Sequence, residues 1–375
     1  MNKLCSALAA AFLAASIALM HDAMAQITIA AGDAHVIPTL SPLLKTITPS
    51  VVSIAIRRRM TDEEFAIMND PLFQDPRAPS SPGDRTIYAS GSGVIIDAER
   101  GFIVTGSHVV DGADEIQVIL GDGRRLTATI TGLDQETDIA VVRVRAAGLT
   151  SLVMGDSDQV EVGDFVLAIG NPFAIGQTVT SGIVSALRRR SLGDQGYEDF
   201  IQTDAAINLG SSGGALVNLR GELVGMNAAI LGAGGGNVGI GFAVPANTVR
   251  IIANQLITYG KASHGELGFT VAGPQGDLFQ GTDVPDRAGA VITKVEPGSS
   301  AARAGVRARD VIVTFNSLPV RDPADLHIKT TLLRVGDVVE LSIIRDRQTI
   351  TVRTTLMSKK DKQNGPGRAA VGRPS

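Results

Sequence analysis

Cysteine is almost missing from this 375-residue chain: Cys5 is the only one. It sits in an apolar N-terminal run, so the chain beyond it can form no disulfide and must be stabilised by core packing. Tryptophan is absent and aromatics make up only 4% of residues, so the cores have to be built from Val, Ile and Leu. Zinc chemistry has nothing to stand on, because there is neither a Cys pair nor a His-Glu-x-x-His sequence. Strong charge of one sign is also lacking. The formal net charge is −4, which gives no reason to expect nucleic acid as a partner. The runs Arg57-Arg58-Arg59 and Arg188-Arg189-Arg190 are short and far apart, and read as solvated loop faces.

The one long apolar run lies at the start. Lys3, the stretch Leu4 to Met20, and Ala23-Met24-Ala25 before Gln26 have the layout of an export signal over residues 1–25. An uncleaved membrane anchor is the alternative reading of the same stretch. Export without disulfides points to the periplasm, and no later stretch could span a bilayer.

Hydrophobic residues at 44% suffice for real cores, and 42 glycines with 16 prolines favour short strands and turns over long helices. Residues 26–50 form a lead-in, and Val51–Ile56 alternates as a first strand. A Pro-rich loop follows to Arg85, with Phe65, Leu72 and Phe73 embedded in it. Strand patterns then cover 93–97, 102–105, 116–120, 126–132 and 139–144. A second set covers 165–169, 179–186, 200–203, 215–217, 223–229 and 240–244. Two groups of about six strands are what a mostly β, double antiparallel barrel over residues 51–260 requires. Ala246–Tyr259 has helical spacing after Pro245 and closes that domain. Lys261–His264 is a polar linker, residues 265–356 form a further α+β unit, and residues 357–375 read as a disordered tail.

Three segments carry chemistry. Gly210-Ser211-Ser212-Gly213-Gly214 surrounds Ser212 with glycines, whose backbone freedom lets consecutive N–H groups converge on one point. Ser212 is the nucleophile candidate, and the backbone N–H groups of Gly210, Ser211 and Ser212 are candidates for an oxyanion hole. His108, directly after the strand at 102–105, is the base candidate. Asp138, heading the apolar strand at 139–144, is the candidate for the orienting acid, because a carboxylate there is costly without a partner. Asp134 is the runner-up. Gly234-Gly235-Gly236-Asn237-Val238-Gly239 fits a dinucleotide fingerprint but precedes a strand, so no cofactor is expected.

The order His108, Asp138, Ser212 is that of chymotrypsin-like enzymes. Gly91-Ser92-Gly93-Val94-Ile95-Ile96, His108-Val109-Val110 and Thr137-Asp138-Ile139-Ala140 resemble segments of the HtrA (Deg) family. So do Asn171-Pro172-Phe173, Gly176 to Ala186, Asp199 to Asn208 and Gly239 to Pro245. The resemblance runs from about Thr48 to Leu356. It implies a chymotrypsin-like double barrel followed by one PDZ domain, acting as an ATP-independent serine endopeptidase on unfolded or damaged envelope polypeptides. It further implies Ile207 and Ile230 as walls of the substrate pocket, and Arg189 as a regulatory sensor. Glu266, Leu267, Gly268 and Phe269 would form a loop that binds C-terminal peptides. A homotrimer or a multiple of it is implied, with Phe65, Leu72 and Phe73 as interface residues.

The chain departs from the family pattern at Ser211 and at Gly106-Ser107, where the family usually has Asn, and at Arg309-Asp310, where Gly-Asp is common. A chaperone or peptide-binding scaffold on a dormant protease fold, and a membrane-anchored signalling protease, are the alternative functions.

Overall fold

The computed structural model describes residues 39–62, 64–65, 85–171, 176–189, 199–230, 238–273 and 289–358. The export signal, Leu72, Phe73, the Gly234–Gly236 run and the tail beyond Ser358 lie outside the described residues. The chain divides into an N-terminal unit, Met1–Pro42, and a second unit, Leu43–Ser375. Helix α1 (Ser41–Ile47) leads into strand β1 (Val51–Arg59).

Six strands close the first barrel in the order β1-β2-β3-β6-β5-β4. They are β1, β2 (Thr86–Asp97), β3 (Phe102–Gly106), β4 (Glu115–Ile119), β5 (Arg125–Asp134) and β6 (Ile139–Arg143), with the one-turn helix α2 (Ser107–Val110) after β3. The Arg57–Arg59 run is part of β1 rather than a loop, with Arg57 paired to Glu115 and Arg58 to Glu64. The second barrel uses β8 (Phe165–Gly170), β9 (Thr178–Arg189), β10 (Phe200–Thr203), β11 (Ala215–Asn218), β12 (Glu222–Ile230) and β13 (Gly241–Pro245). The β11–β12 pairing closes it, and the two-residue β7 (Val153–Met154) adds in parallel to β12.

Two cores explain why some strands alternate and others read as solid apolar runs. In β4 only Ile116 and Val118 are buried, because one face meets the barrel interior and the other meets water. In β6, Ala140 and Val142 face the first barrel's interior, while Ile139 and Val141 face a cluster shared with the second barrel. Both faces are dry, so every other residue cannot be polar. That shared cluster also takes Val249, Ile252 and Leu256 from helix α3 (Ala246–Tyr259), whose bounds match the sequence expectation. The helix ends on Gly260, at φ 72° in the left-handed region. Among the described residues no helix is long and apolar enough to cross a membrane.

The C-terminal unit is a sheet in the order β14-β15-β16-β18-β19, with β17 on β16. Its elements are β14 (Phe269–Ala272), β15 (Ala290–Val295), α4 (Ser300–Arg303), β16 (Val311–Phe315), β17 (Leu318–Pro319), α5 (Pro323–Thr331), β18 (Val338–Arg345) and β19 (Gln348–Thr355). Asp322 caps α5 by accepting the Asp325 N–H at 2.8 Å. Met357, expected in a disordered tail, instead exchanges two backbone hydrogen bonds with Glu266, at 2.8 and 2.9 Å. Arg309 adopts φ 74°, a conformation glycine takes without steric cost, which accounts for glycine being common at that point of similar domains.

The segment expected to be a plain linker is instead a joint. His264 places Nε2 2.8 Å from Asp134 Oδ1, at the end of β5, and Nδ1 2.7 Å from the Thr331 carbonyl, at the end of α5. Its side chain is 12% exposed and that of Asp134 9%. Two acceptors on one ring require both nitrogens to carry protons, so the geometry selects the imidazolium. Burial opposes that charge, but Asp134 and the Thr331 carbonyl outweigh it and hold the His264 pKa above its ordinary value. Burial likewise opposes the Asp134 carboxylate, yet His264 and Thr137 hold its pKa below the usual range. Arg334 stacks on Tyr259 at 3.7 Å beside this joint.

His264 with a raised pKa stabilises the fold fully below its unfolded value, and that contribution fades as pH rises through the raised one. Asp134 acts oppositely, and its share is lost as pH falls through its lowered pKa. His264→Ala should therefore cost about 3 kcal/mol at weakly acidic pH, a deficit that shrinks under alkaline conditions. Calorimetric unfolding of both proteins across pH checks this; a pH-independent difference would contradict it.

Candidate active site

His108 is presented by α2, immediately after β3, and Asp138 by the turn between β5 and β6. Both come from the first barrel; Ser212 comes from the turn that precedes β11 in the second. His108 Nδ1 lies 2.7 Å from Asp138 Oδ2 and 2.9 Å from Oδ1. Asp138 Oδ1 also accepts the His108 backbone N–H at 3.0 Å and the Ser107 hydroxyl at 2.9 Å. Asp138 holds φ at 55°, unfavourable for a non-glycine residue and offset here by these bonds. Gly106 is needed for contact rather than for backbone freedom: a Cβ there would sit 2.8 Å from the imidazole Cε1.

The charges follow from this geometry. The hydrogen bond to Asp138 raises the His108 pKa against partial burial. Burial of Asp138 favours its neutral form, but the bonds from His108 and Ser107 hold its pKa below the usual carboxylate range. The aspartate is thus ionised and fixed, and the imidazole keeps its Nδ1 proton. The side chain of His108 is 51% exposed, and among the described residues its Nε2 makes no hydrogen bond.

Around the nucleophile, Gly210 and Gly213 have φ values of 93° and 82°. At Gly213 any Cβ would also run into the Ser92 carbonyl and the Thr105 hydroxyl. The Ser211 N–H is committed to the Asn208 carbonyl at 2.9 Å, which removes it from the three oxyanion donors expected. Gly210 and Ser212 are left as donors. Ser212 Oγ donates to the Ala228 carbonyl at 3.1 Å, and among the described residues nothing bonds it to His108.

Asp134, the runner-up acid, belongs to the His264 joint and not to this site. Ile207 is 1% exposed, within the second barrel's core alongside Ala243 and Leu216. The Ile230 side chain lies outside the described residues. Arg189, at the end of β9, donates to Gln202 Oε1 at 2.9 Å. In the C-terminal unit Leu267, Gly268 and Phe269 line a groove with Leu326, His327 and Thr330 of α5. Strand β14 is an edge, and among the described residues nothing accepts the N–H of Leu267 or Gly268.

Four polar residues to which the sequence assigns no role hold the site together: Ser92, Thr105, Ser107 and Asn227. Asn227, fully buried, donates from Nδ2 to the carbonyls of Ile169 and Ala215 and exchanges backbone bonds with Gly213 and Gly214. Ser92 stands between two glycines and Asn227 between apolar neighbours, both within strands, a signal that a search for isolated polar residues in strands would catch.

A base whose pKa is raised by its carboxylate must lose a proton to work. The acid limb of kcat/KM should therefore lie above the ordinary imidazole value, with activity falling as pH falls. Asp138→Asn should lower kcat about 10⁴-fold, as in other Ser-His-Asp enzymes, because the ring loses its tautomer. A pH–rate profile of both proteins is the check; an unshifted limb with a mild loss in Asp138→Asn would remove Asp138 from the machinery.

Comparison with known proteins places this geometry. Residues 91–226 match the trypsin-like peptidase domain, and residues 265–356 match the PDZ domain. The periplasmic serine endoprotease DegP of Escherichia coli (strain K12) is 41% identical, covering 97% of this chain and 82% of that protein. The periplasmic pH-dependent serine endoprotease DegQ of the same organism is 40% identical, covering 89% of this chain and 74% of DegQ. Among solved structures, the HtrA-type protease AlgW with tripeptide superposes with a TM-score of 0.70 at 35% identity, covering 85% of this chain and 97% of AlgW. With the two barrels, the PDZ sheet and these relatives in view, the chain belongs to the HtrA (Deg) family of serine endopeptidases.

Proposed function

We propose that this protein hydrolyses unfolded or damaged polypeptides in the periplasm through Ser212, His108 and Asp138. The observation that carries the reading is the imidazole held at 2.7 Å by a carboxylate that three donors keep ionised. His108 Nε2 takes the Ser212 proton as Oγ bonds to the scissile carbonyl carbon. The resulting oxyanion is stabilised by the N–H groups of Gly210 and Ser212. The imidazolium then gives its proton to the departing amine as the C–N bond breaks. Water, deprotonated by the same ring, releases the acid and restores the serine. No ATP enters any step.

Ile207, packed in the core of the barrel that carries Ser212, and Ile230 would leave room only for small or medium aliphatic side chains. The open edge of β14 supports addition of a peptide C-terminus as an extra strand, its carboxylate held at Leu267 and Gly268. Arg189 would read PDZ occupancy, and assembly would be trimeric or a multiple of three, with Phe65, Leu72 and Phe73 at the interface. Residues 1–25 would direct export and be removed. A chaperone with a dormant protease fold is the second reading, favoured by the hydroxyl of Ser212 resting on Ala228 rather than on His108.

The purified protein should cleave unfolded casein, and Ser212→Ala should abolish this while Ser211→Ala keeps it within about tenfold, since Ser211 supplies no reacting atom. Suppression of aggregation without any cleavage by the unmutated protein would favour the chaperone.

A further inference from the structure

Ser92 lies on β2 of the first barrel, fully buried, and every polar atom it has is used on the far side of the seam or directly behind it. Its N–H donates to the Ser212 carbonyl at 2.8 Å. Its carbonyl accepts the Thr105 hydroxyl at 2.7 Å. Its hydroxyl donates to the Gly210 carbonyl at 2.7 Å and accepts the Asn171 N–H at 2.9 Å. The hydroxyl has no freedom in this pattern. An N–H can only donate and a carbonyl can only accept, so the Ser92 proton must point at Gly210.

The consequence falls on the oxyanion donors. The peptide between Gly210 and Ser211 is gripped at both ends: its carbonyl by Ser92, its N–H by the carbonyl of Asn208 at 2.9 Å. The next carbonyl but one, of Ser212, is held by the Ser92 backbone. The two donors of the oxyanion hole, Gly210 and Ser212, therefore sit in a segment whose orientation one serine of the opposite barrel fixes. Asn171 extends the tie: its Nδ2 donates to Ser53 Oγ at 2.7 Å and its Oδ1 accepts the Gly176 N–H at 2.7 Å. The flanking glycines make the approach possible, since a Cβ at Gly91 would meet Val109 at 2.6 Å and one at Gly93 would meet Ile103 at 2.8 Å.

We propose that Ser92 is a positioning residue for transition-state stabilisation: its hydroxyl fixes the Gly210–Ser211 peptide, which lies between the peptide that carries the Gly210 N–H and the one that carries the Ser212 N–H, and so holds both donors towards the developing oxyanion. It touches no substrate. It acts through Gly210, and its effect falls on kcat and on tetrahedral adducts, not on ground-state binding. The inference rests on Ser212 being the nucleophile.

Displacement of catalytic groups on the ångström scale costs up to about 10²-fold. Ser92→Ala should lower kcat for a peptide substrate by about 10- to 100-fold with KM within about twofold, and weaken inhibition by a peptide boronate by the same factor. Ser92→Cys, which keeps the side-chain volume with a weaker donor, should fall between the two and guards against loss of folding. Kinetics and boronate inhibition of folded Ser92→Ala and Ser92→Cys within twofold of the unmutated enzyme would overturn the proposal, even if their melting temperatures drop, since that is what a purely structural serine would do. Ser212→Ala is run beside them. Cleavage surviving in Ser212→Ala sinks the nucleophile assignment, whereas an inert Ser212→Ala with an unimpaired Ser92→Ala sinks only the role of Ser92.

Discussion

The carbonyls of Gly210 and Ser212 are held by one residue of the opposite barrel, and the site depends on that grip. His108 and Asp138 are supplied by the first barrel, Ser212 and the N–H groups of Gly210 and Ser212 by the second. Neither barrel contains an active site. Reaction geometry tolerates errors well under an ångström, so the seam must be stiff. It is stiffened by an aliphatic cluster drawn from both barrels and, at its edge, by the directional bonds of Ser92, Thr105 and Asn171. The apolar cluster supplies most of the free energy of burial, but it has no direction. The hydrogen bonds add less free energy and decide orientation.

A second economy lies in the turn between β5 and β6. In it Asp138 holds the His108 imidazole, and at its start, on the last residue of β5, Asp134 holds His264 at the joint with the PDZ unit. Thr137 ties the two, donating its hydroxyl and N–H to Asp134 Oδ2 while its neighbour faces His108. The peptide groove between β14 and α5 opens beside the same joint, with Glu136 of that turn among its lining residues.

Much of this was legible in the sequence, for reasons that differ by element. Strands such as β4 announce themselves by alternation, and α3 by its apolar spacing between Pro245 and Gly260. The reactive serine was marked by glycines that the backbone and its neighbours demand, and Asp138 by the cost of a carboxylate heading an apolar strand. His264 reads as part of a linker because its partners, Asp134 and Thr331, are remote in sequence and nothing local reveals them. Ser211 looked like an oxyanion donor until the Asn208 carbonyl was seen to claim its N–H. The extended pairing of Met357 with Glu266 was hidden in the same way, since polar residues follow it directly. Propensity and spacing speak for local structure; long-range hydrogen bonds have no local signature.

The proposed arrangement makes Ser212, and no other serine, nucleophilic. It is tested most directly by treating the purified protein with a serine-reactive peptide phosphonate, then measuring intact mass and mapping the adduct. One adduct per chain is expected, at Ser212, formed more slowly as pH falls through the raised pKa of His108. No adduct in the presence of unfolded substrate and a C-terminal peptide, or an adduct at Ser211, would contradict it.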